Sequence, residues 1–224
     1  PGGSEATARA HAEAGVSRSA GGPSGDVKRH GIVAVRERST AGDLFQLKIA
    51  ERLLEARTIL IVGEISSMLA QQVTAQLLAM ASDSDDDITL FIHSEGGHVE
   101  SGDTLHDMIR FVKPRVKMVG TGWVASAGAH IYLAVPREDR FCLPNTRFLI
   151  HQPQGGMGGQ AADIRIEAEE MLKTRERLNQ TLADATGQPL EKVQADTERN
   201  HWMSPEEARE YGIVGTIISS ADEL

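Results

Sequence analysis

From about Gly42 onward the apolar residues switch repeatedly between helical spacing and short β-favouring runs, which predicts an α/β fold with a mostly parallel sheet. A helix is expected over 43–56, with Asp43 as its N-cap and Leu44, Leu47 and Leu54 on one face. Strand 58–62 follows, then a helix over 67–82 in which Leu69, Val73, Leu77 and Met80 recur at helical spacing. The acidic turn 83–87 leads into strand 88–92, a Gly-Gly loop, and helix 99–112 with Leu105, Met108, Ile109 and Val112 inward. Strand 116–120 comes next, a short helix starts near Ser126, and strands 140–143 and 147–150 flank Pro144. The longest helix spans 161–186 and stops at Gly187-Gln188-Pro189; two shorter helices and a strand near 213–218 complete the pattern. No period of about 20–50 residues marks a solenoid.

The first 25 residues break this pattern, being almost wholly Gly, Ala, Ser, Pro and charge, with Val16 the only larger aliphatic. Such a stretch cannot offset its ordering entropy by burial, so residues 1–30 are expected to be a disordered tail or a propeptide. The remainder of the 224 residues suffices for one substantial core. With 23 basic against 32 acidic side chains the net charge is −9, a field that repels polyphosphate, so neither nucleic acid nor an anionic membrane is an expected partner. Cys142 stands alone, which excludes an internal disulfide framework and multi-cysteine metal sites and fits a reducing compartment. The apolar runs fall far short of the 18 or so residues of a membrane span.

Three short segments carry candidate chemistry. Val124-Ala125-Ser126-Ala127-Gly128-Ala129 follows a predicted strand and opens a helix, an arrangement that aims backbone N–H groups at whatever lies over the serine. A serine among small residues at a helix start is also an ordinary N-cap. His151 ends the apolar strand Arg147-Phe148-Leu149-Ile150, where a neutral imidazole can serve as general base; a core histidine bonded to a carbonyl is the plain alternative. Gly96-Gly97 follows strand 88–92 and lets backbone approach a substrate closely, as an oxyanion hole requires, although turn glycines need no function. In a βαβ unit, loops 93–98 and 121–127 follow neighbouring parallel strands and converge on one crevice.

Other patterns lead nowhere. Gly156-Met157-Gly158-Gly159-Gln160-Ala161 matches a dinucleotide-binding fingerprint but does not directly follow a strand. Asp83, Asp85, Asp86 and Asp87 resemble a calcium loop only in charge. His93, His98, His106 and His130 lack metal-hydrolase spacing, so no metal site is expected.

Taken together, Ser94-Glu95-Gly96-Gly97, Ala125-Ser126-Ala127-Gly128-Ala129, Leu143-Pro144-Asn145, His151-Gln152-Pro153, Thr186-Gly187-Gln188 and Asp196-Thr197-Glu198-Arg199 resemble the ClpP family. These are serine peptidases, the proteolytic subunits of the ATP-dependent Clp protease, and the resemblance runs from about Gly42 to Ile218. It implies a ClpP/crotonase-like stack of βαβ units with a protruding helix-strand handle. It also implies an N-terminal axial segment and helix at 31–56, a peptidase domain at 57–219 and a short C-terminal tail at 220–224. Ser126 becomes the nucleophile, His151 the base, and the N–H groups of Gly97 and Ala127 the oxyanion donors. The family's third triad member, an aspartate, falls on Asn200, an amide that can orient the imidazole but brings no negative charge. Asp196, one helical turn earlier, is a candidate for the missing charge.

Further departures are Glu95 where the family has proline, Ala127 where methionine is common, and Thr89 at a usually aromatic position. The resemblance also implies two stacked seven-membered rings, homomeric or mixed, in a bacterial cytoplasm, with Arg199 in the contact between rings. Gly155 and Gly156 would bind unfolded polypeptide as an added strand, and Phe91, Phe111 and Phe141 would help dock a Clp-type AAA+ unfoldase. The chain has no G-x-x-x-x-G-K-[ST] motif and no Gly-Lys pair, so no cofactor is expected and ATP is used only by a partner. Two rivals remain: a catalytically impaired subunit of a mixed complex, and a crotonase-type acyl-CoA enzyme.

Overall fold

The computed structural model describes residues 41–156 and 158–224; the expected tail 1–30 and residues 31–40 of the axial segment lie outside them. Helix α1 (Ala41–Glu55) already contains Asp43, so that residue sits inside the helix and is not its N-cap. Leu44, Leu47 and Leu54 are exposed, and among the described residues α1 contributes none to the core. Helical periodicity reports an apolar stripe, not what covers it.

The next elements follow the sequence closely. β-Favouring residues make β1 (Thr58–Val62). Helix α2 (Ser67–Asp83) starts at Ser66, whose hydroxyl accepts the Leu69 N–H at 3.3 Å, and buries Ala70, Val73, Leu77 and Met80. In β2 (Ile88–Ser94) burial alternates, with Ile88, Leu90, Ile92 and Ser94 inward. Helix α3 (Val99–Phe111) buries Leu105 and Ile109. Each such side chain contributes about 1.5–3 kcal/mol when fully buried.

Strand β3 (Val116–Ala125) runs past its expected end at 120, because Gly120 and Gly122 interrupt the apolar pattern without ending the pairing. It is followed by α4 (Ala127–Tyr132), β4 (Arg140–Cys142), β5 (Arg147–Ile150), α5 (Ala161–Thr186), α6 (Leu190–Thr197), β6 (His201–Met203), α7 (Pro205–Tyr211) and β7 (Thr216–Ile217). The long α5 matches expectation at both ends and exposes Ile164, Ile166 and Leu172 in its first half, as the protruding handle should. Buried Arg140 anchors its far end, donating to Ala185 O at 2.9 Å and to Val135 O at 2.8 Å.

The sheet runs β1-β2-β3-β4-β7, and β3 also pairs with β5. The first part of β3 meets β4 through Met118–Gly120, and its last residues, Trp123–Ala125, meet β5. Every pairing is parallel except β5 with β6. Parallel strands therefore deliver the ends of β2, β3 and β5 to one crevice, where open α/β sheets bind their ligands.

Candidate active site

Ser126 takes the single position between β3 and α4, with φ 56° and ψ −122°. A non-glycine residue held in such a sparsely populated region costs on the order of 1–3 kcal/mol. Two backbone bonds hold it: the Ser126 N–H donates to Leu149 O at 2.9 Å, and Ser126 O accepts the His130 N–H at 3.1 Å. The strand thus turns abruptly into a helix at a half-buried serine.

Strand register brings the other two predicted triad members to it. Ala125 pairs with Leu149 in the parallel β3–β5 ladder, so both chains leave the sheet side by side, one into Ser126 and the other toward His151. In the antiparallel β5–β6 ladder Ile150 pairs with His201, which sets His151 opposite Asn200 as the next pair. Gln152 pins this corner, its backbone N–H donating to Thr197 O at 2.7 Å and its side-chain amide to Glu198 O at 3.0 Å.

Burial lowers the His151 pKa below the ordinary imidazole value, and the nearby Asn200 side chain offsets only part of that. The ring is accordingly neutral at pH 7, the state a general base requires. Both ring nitrogens are enclosed without a well-formed hydrogen bond among the described residues. Asp196 does not supply the missing charge: its Oδ2 is 2.5 Å from Lys192 Nζ and accepts the Tyr211 hydroxyl at 2.9 Å. A carboxylate already paired with a cation and a phenol has little field left for the imidazole.

Ser94, which the sequence reading passed over beyond its motif, shapes the glycine loop. Fully buried, it donates to Gly63 O at 2.6 Å and accepts the Gly96 N–H at 3.0 Å. The loop is further clamped to Ile65, whose N–H donates to Gly96 O and whose carbonyl accepts the His98 N–H, both at 2.8 Å. Gly97 lies between, at φ 151°, where a Cβ would stand 2.4 Å from Ile65 O; a Cβ on Gly96 would meet Ser126 Cβ at 2.5 Å. Only glycine fits either place. The Gly97 N–H donates to nothing among the described residues. Ala127 is the first residue of α4, so its N–H also lacks an intrahelical acceptor. Replacing Ser94 by alanine leaves the Gly96 N–H unpaired and buried; we expect a loss of about 1–3 kcal/mol in stability, read by thermal melting.

A pocket opens beside Ser126 and His151, enclosing about 600 Å³ of empty space including its mouth. Val99, Leu133, Ile150, Leu178 and Leu182 make it largely apolar, with His130, Asn179 and Thr197 as polar lining. A serine hydroxyl, a neutral imidazole, two free N–H groups and an adjoining side-chain pocket are the parts of acyl-transfer chemistry.

A sequence profile described as Clp protease matches residues 41–221. The chain belongs to the Clp protease family. Among Clp protease relatives, "ATP-dependent Clp protease proteolytic subunit 3" of Rhizobium etli is 58% identical over 172 residues, covering 77% of this chain and 89% of the relative. The subunit of Paracoccus denitrificans is 52% identical over 166 residues, 74% of this chain and 83% of the relative. In three dimensions, ClpP1 from Listeria monocytogenes aligns with TM-score 0.72 and 54% identity, covering 79% of this chain and 99% of that one. These likenesses bear out the α/β fold with its parallel sheet.

The remaining expected residues are spread over the Clp protease fold. Gly155 and Gly156 are exposed in the segment between β5 and α5. Arg199 is exposed between α6 and β6 and forms no ion pair among the described residues. Phe91 and Phe141 share one row across the sheet with Leu60 and Val119, while Phe111 stands apart at the end of α3, 75% exposed. Cys142 is buried in β4, its thiol pushed up to about 12 by burial first, as a packing residue would be. Among the described residues no cluster of His, Cys, Asp or Glu is fit to hold a metal, and no helix is long and apolar enough to cross a membrane. The acidic turn is bound from outside: Arg57 donates to Ser84 O and Asp86 O, and Lys117 pairs with Asp87 at 3.2 Å.

Proposed function

We propose that this Clp protease subunit is a serine endopeptidase cleaving unfolded polypeptides inside a chamber of two stacked seven-membered rings. Ser126 is the nucleophile, His151 takes its proton and returns it to the leaving amine, and the N–H groups of Gly97 and Ala127 hold the oxyanion. Asn200 orients the imidazole without adding charge, which makes the triad an attenuated one. The observation that carries this reading is the strand register that sets Ser126, His151 and Asn200 at one corner, beside a backbone loop with a free N–H. Gly155 and Gly156 pair with substrate backbone as an added strand, which accounts for broad specificity. Arg199 belongs to the contact between rings, and the sheet face bearing Phe91 and Phe141, with Phe111, receives a Clp-type AAA+ unfoldase. That partner alone uses ATP, and the subunit needs no cofactor.

A fluorophosphonate probe tests the catalytic part, because it labels an activated serine. Labelling at Ser126, lost in His151→Ala, is the expected result. A crotonase-type enzyme needs no activated serine and would give none. The rival of an impaired subunit in a mixed ring draws on the unpaired His151 nitrogens and on Asn200; it predicts labelling only after mixing with an active family member. Full turnover by the protein alone would remove it.

A further inference from the structure

The pocket beside Ser126 has a built polar wall. His130 follows Ser126 by four positions, which puts both on one face of the turn that opens α4. Its Nε2 lies 2.9 Å from Asp103 Oδ1 on α3. Asp103 is in turn gripped by the Arg177 guanidinium on α5 through two hydrogen bonds, at 2.8 and 2.7 Å. The ring stacks on His106, centroids 4.5 Å apart and planes 9° from parallel. Three helices thus cooperate to fix one imidazole in a pocket wall. Burial disfavours ionisation of Asp103, and Arg177 and His130 outweigh it, so the carboxyl stays below its usual range. Burial, with His106 beside it, pushes the His130 pKa down to about 4.

His130 Nε2 is enclosed against the Asp103 carboxylate in a close contact that is not aligned as a hydrogen bond; with the proton of the neutral ring on the side of the carboxylate, Nδ1 is left as an acceptor. Asn179 supplies the complement. It is 4% exposed, and its Oδ1 lies 3.0 Å from the Thr197 hydroxyl, which also lies 2.8 Å from Val193 O; with that one proton shared between the two carbonyl oxygens, the amide NH2 is the group left for a guest. One wall of an otherwise apolar pocket therefore offers one donor and one acceptor. A primary carboxamide at the end of a short aliphatic stem satisfies both. A carboxylate brings no donor and lies close to Asp103; an ammonium brings no acceptor for Asn179 and pays for desolvation.

We propose that His130 and Asn179, with Asp103 and Arg177 as positioning residues, make glutamine a preferred side chain immediately before the bond this subunit cleaves. The proposal rests on the peptidase reading above and deepens it. Methionine is the natural control, being nearly the same length and shape without a strong hydrogen-bonding group. A site built around a substrate's hydrogen bonds disfavours an analogue that lacks them, and for this open pocket we expect kcat/KM about ten-fold in favour of glutamine.

The test compares fluorogenic tripeptide amides differing only in Gln or Met at that position, in the intact protein, with fluorophosphonate labelling of Ser126 run alongside. The expected result is a Gln/Met ratio near ten, falling to about one in His130→Phe while kcat/KM for the Met substrate is held or raised. Asp103→Asn, which frees the ring from its carboxylate, should lower the ratio without reaching one. The ratio in the unsubstituted protein stands independently of whether any variant folds. Labelled Ser126 with a Gln/Met ratio of one or less would overturn this specificity and leave the peptidase reading standing. Absence of both labelling and cleavage would overturn the two together. A His130→Phe variant that slows both substrates equally would show a structural role only.

Discussion

Ser126→Ala should lower peptide turnover by at least about four orders of magnitude and abolish fluorophosphonate labelling, while leaving the melting temperature within a few degrees of the parent. The rate effect follows from the loss of the hydroxyl that lines the pocket with His151 and lies against the glycine loop. Stability is spared because alanine keeps the Cβ and the backbone bonds to Leu149 and His130. A sharper version uses glycine. The parent holds Ser126 at φ 56°, ψ −122°, a conformation that costs about 1–3 kcal/mol for a residue with a Cβ. Glycine removes that strain but adds about 0.5–1 kcal/mol of unfolded-state entropy. The net for Ser126→Gly is then zero to about 2.5 kcal/mol of stabilisation in a protein without activity. Inactive and more stable is the pairing expected when strain is kept for function. Retention of more than about one per cent of the parent rate in Ser126→Ala would point to another nucleophile.

The parts of this site were legible in the sequence to the degree that each is local. Gly96-Gly97 and the small residues around Ser126 announce themselves because close backbone approach leaves no side-chain alternative, and the structure shows what they approach: Ile65 O and Ser126 Cβ. The long helix 161–186 was readable at both ends because it has a regular apolar period and a glycine stop. Strand β6 was not. Three residues, His201-Trp202-Met203, are too few to display a period, and their partner β5 lies some fifty positions earlier in the chain. Yet that pairing is what sets Asn200 against His151. The wall of His130, Asp103 and Arg177 was hidden for the same reason. Each residue reads as an ordinary helix side chain, and only the packing of α3, α4 and α5 assembles them. The exposed stripe of α1 is the converse case, a clear local period that no other described residue covers.

Replacing Asn200 by aspartate should raise kcat/KM about ten- to a hundred-fold at pH 8 and move the acidic limb of its pH profile upward by about one to three units. The two effects share one cause. His151 is held below the ordinary imidazole pKa mainly by burial, and Asn200 returns only part of the difference because an amide offers a dipole in place of a charge. A carboxylate opposite the ring raises the pKa of the imidazolium by about one to three units, each worth about 1.36 kcal/mol. In the proposed mechanism the same interaction stabilises the imidazolium that forms as Ser126 attacks, which sets the expected gain in rate. Only the neutral imidazole can accept that proton, so the activity of the parent extends to lower pH than that of the variant. Stability follows with opposite sign. In the parent the folded state binds fewer protons at His151 than the unfolded chain, so stability falls as pH drops below the unfolded value of about 6.5. In the variant a raised folded pKa makes protonation favour the fold, and that loss is removed. The two proteins should therefore cross: the variant faster at pH 8, the parent retaining more of its own maximal rate at pH 5.5 while melting lower relative to its value at pH 8. Unchanged rates and an unmoved acidic limb in Asn200→Asp would show that position 200 does not act on the imidazole, whatever the strand register places opposite it.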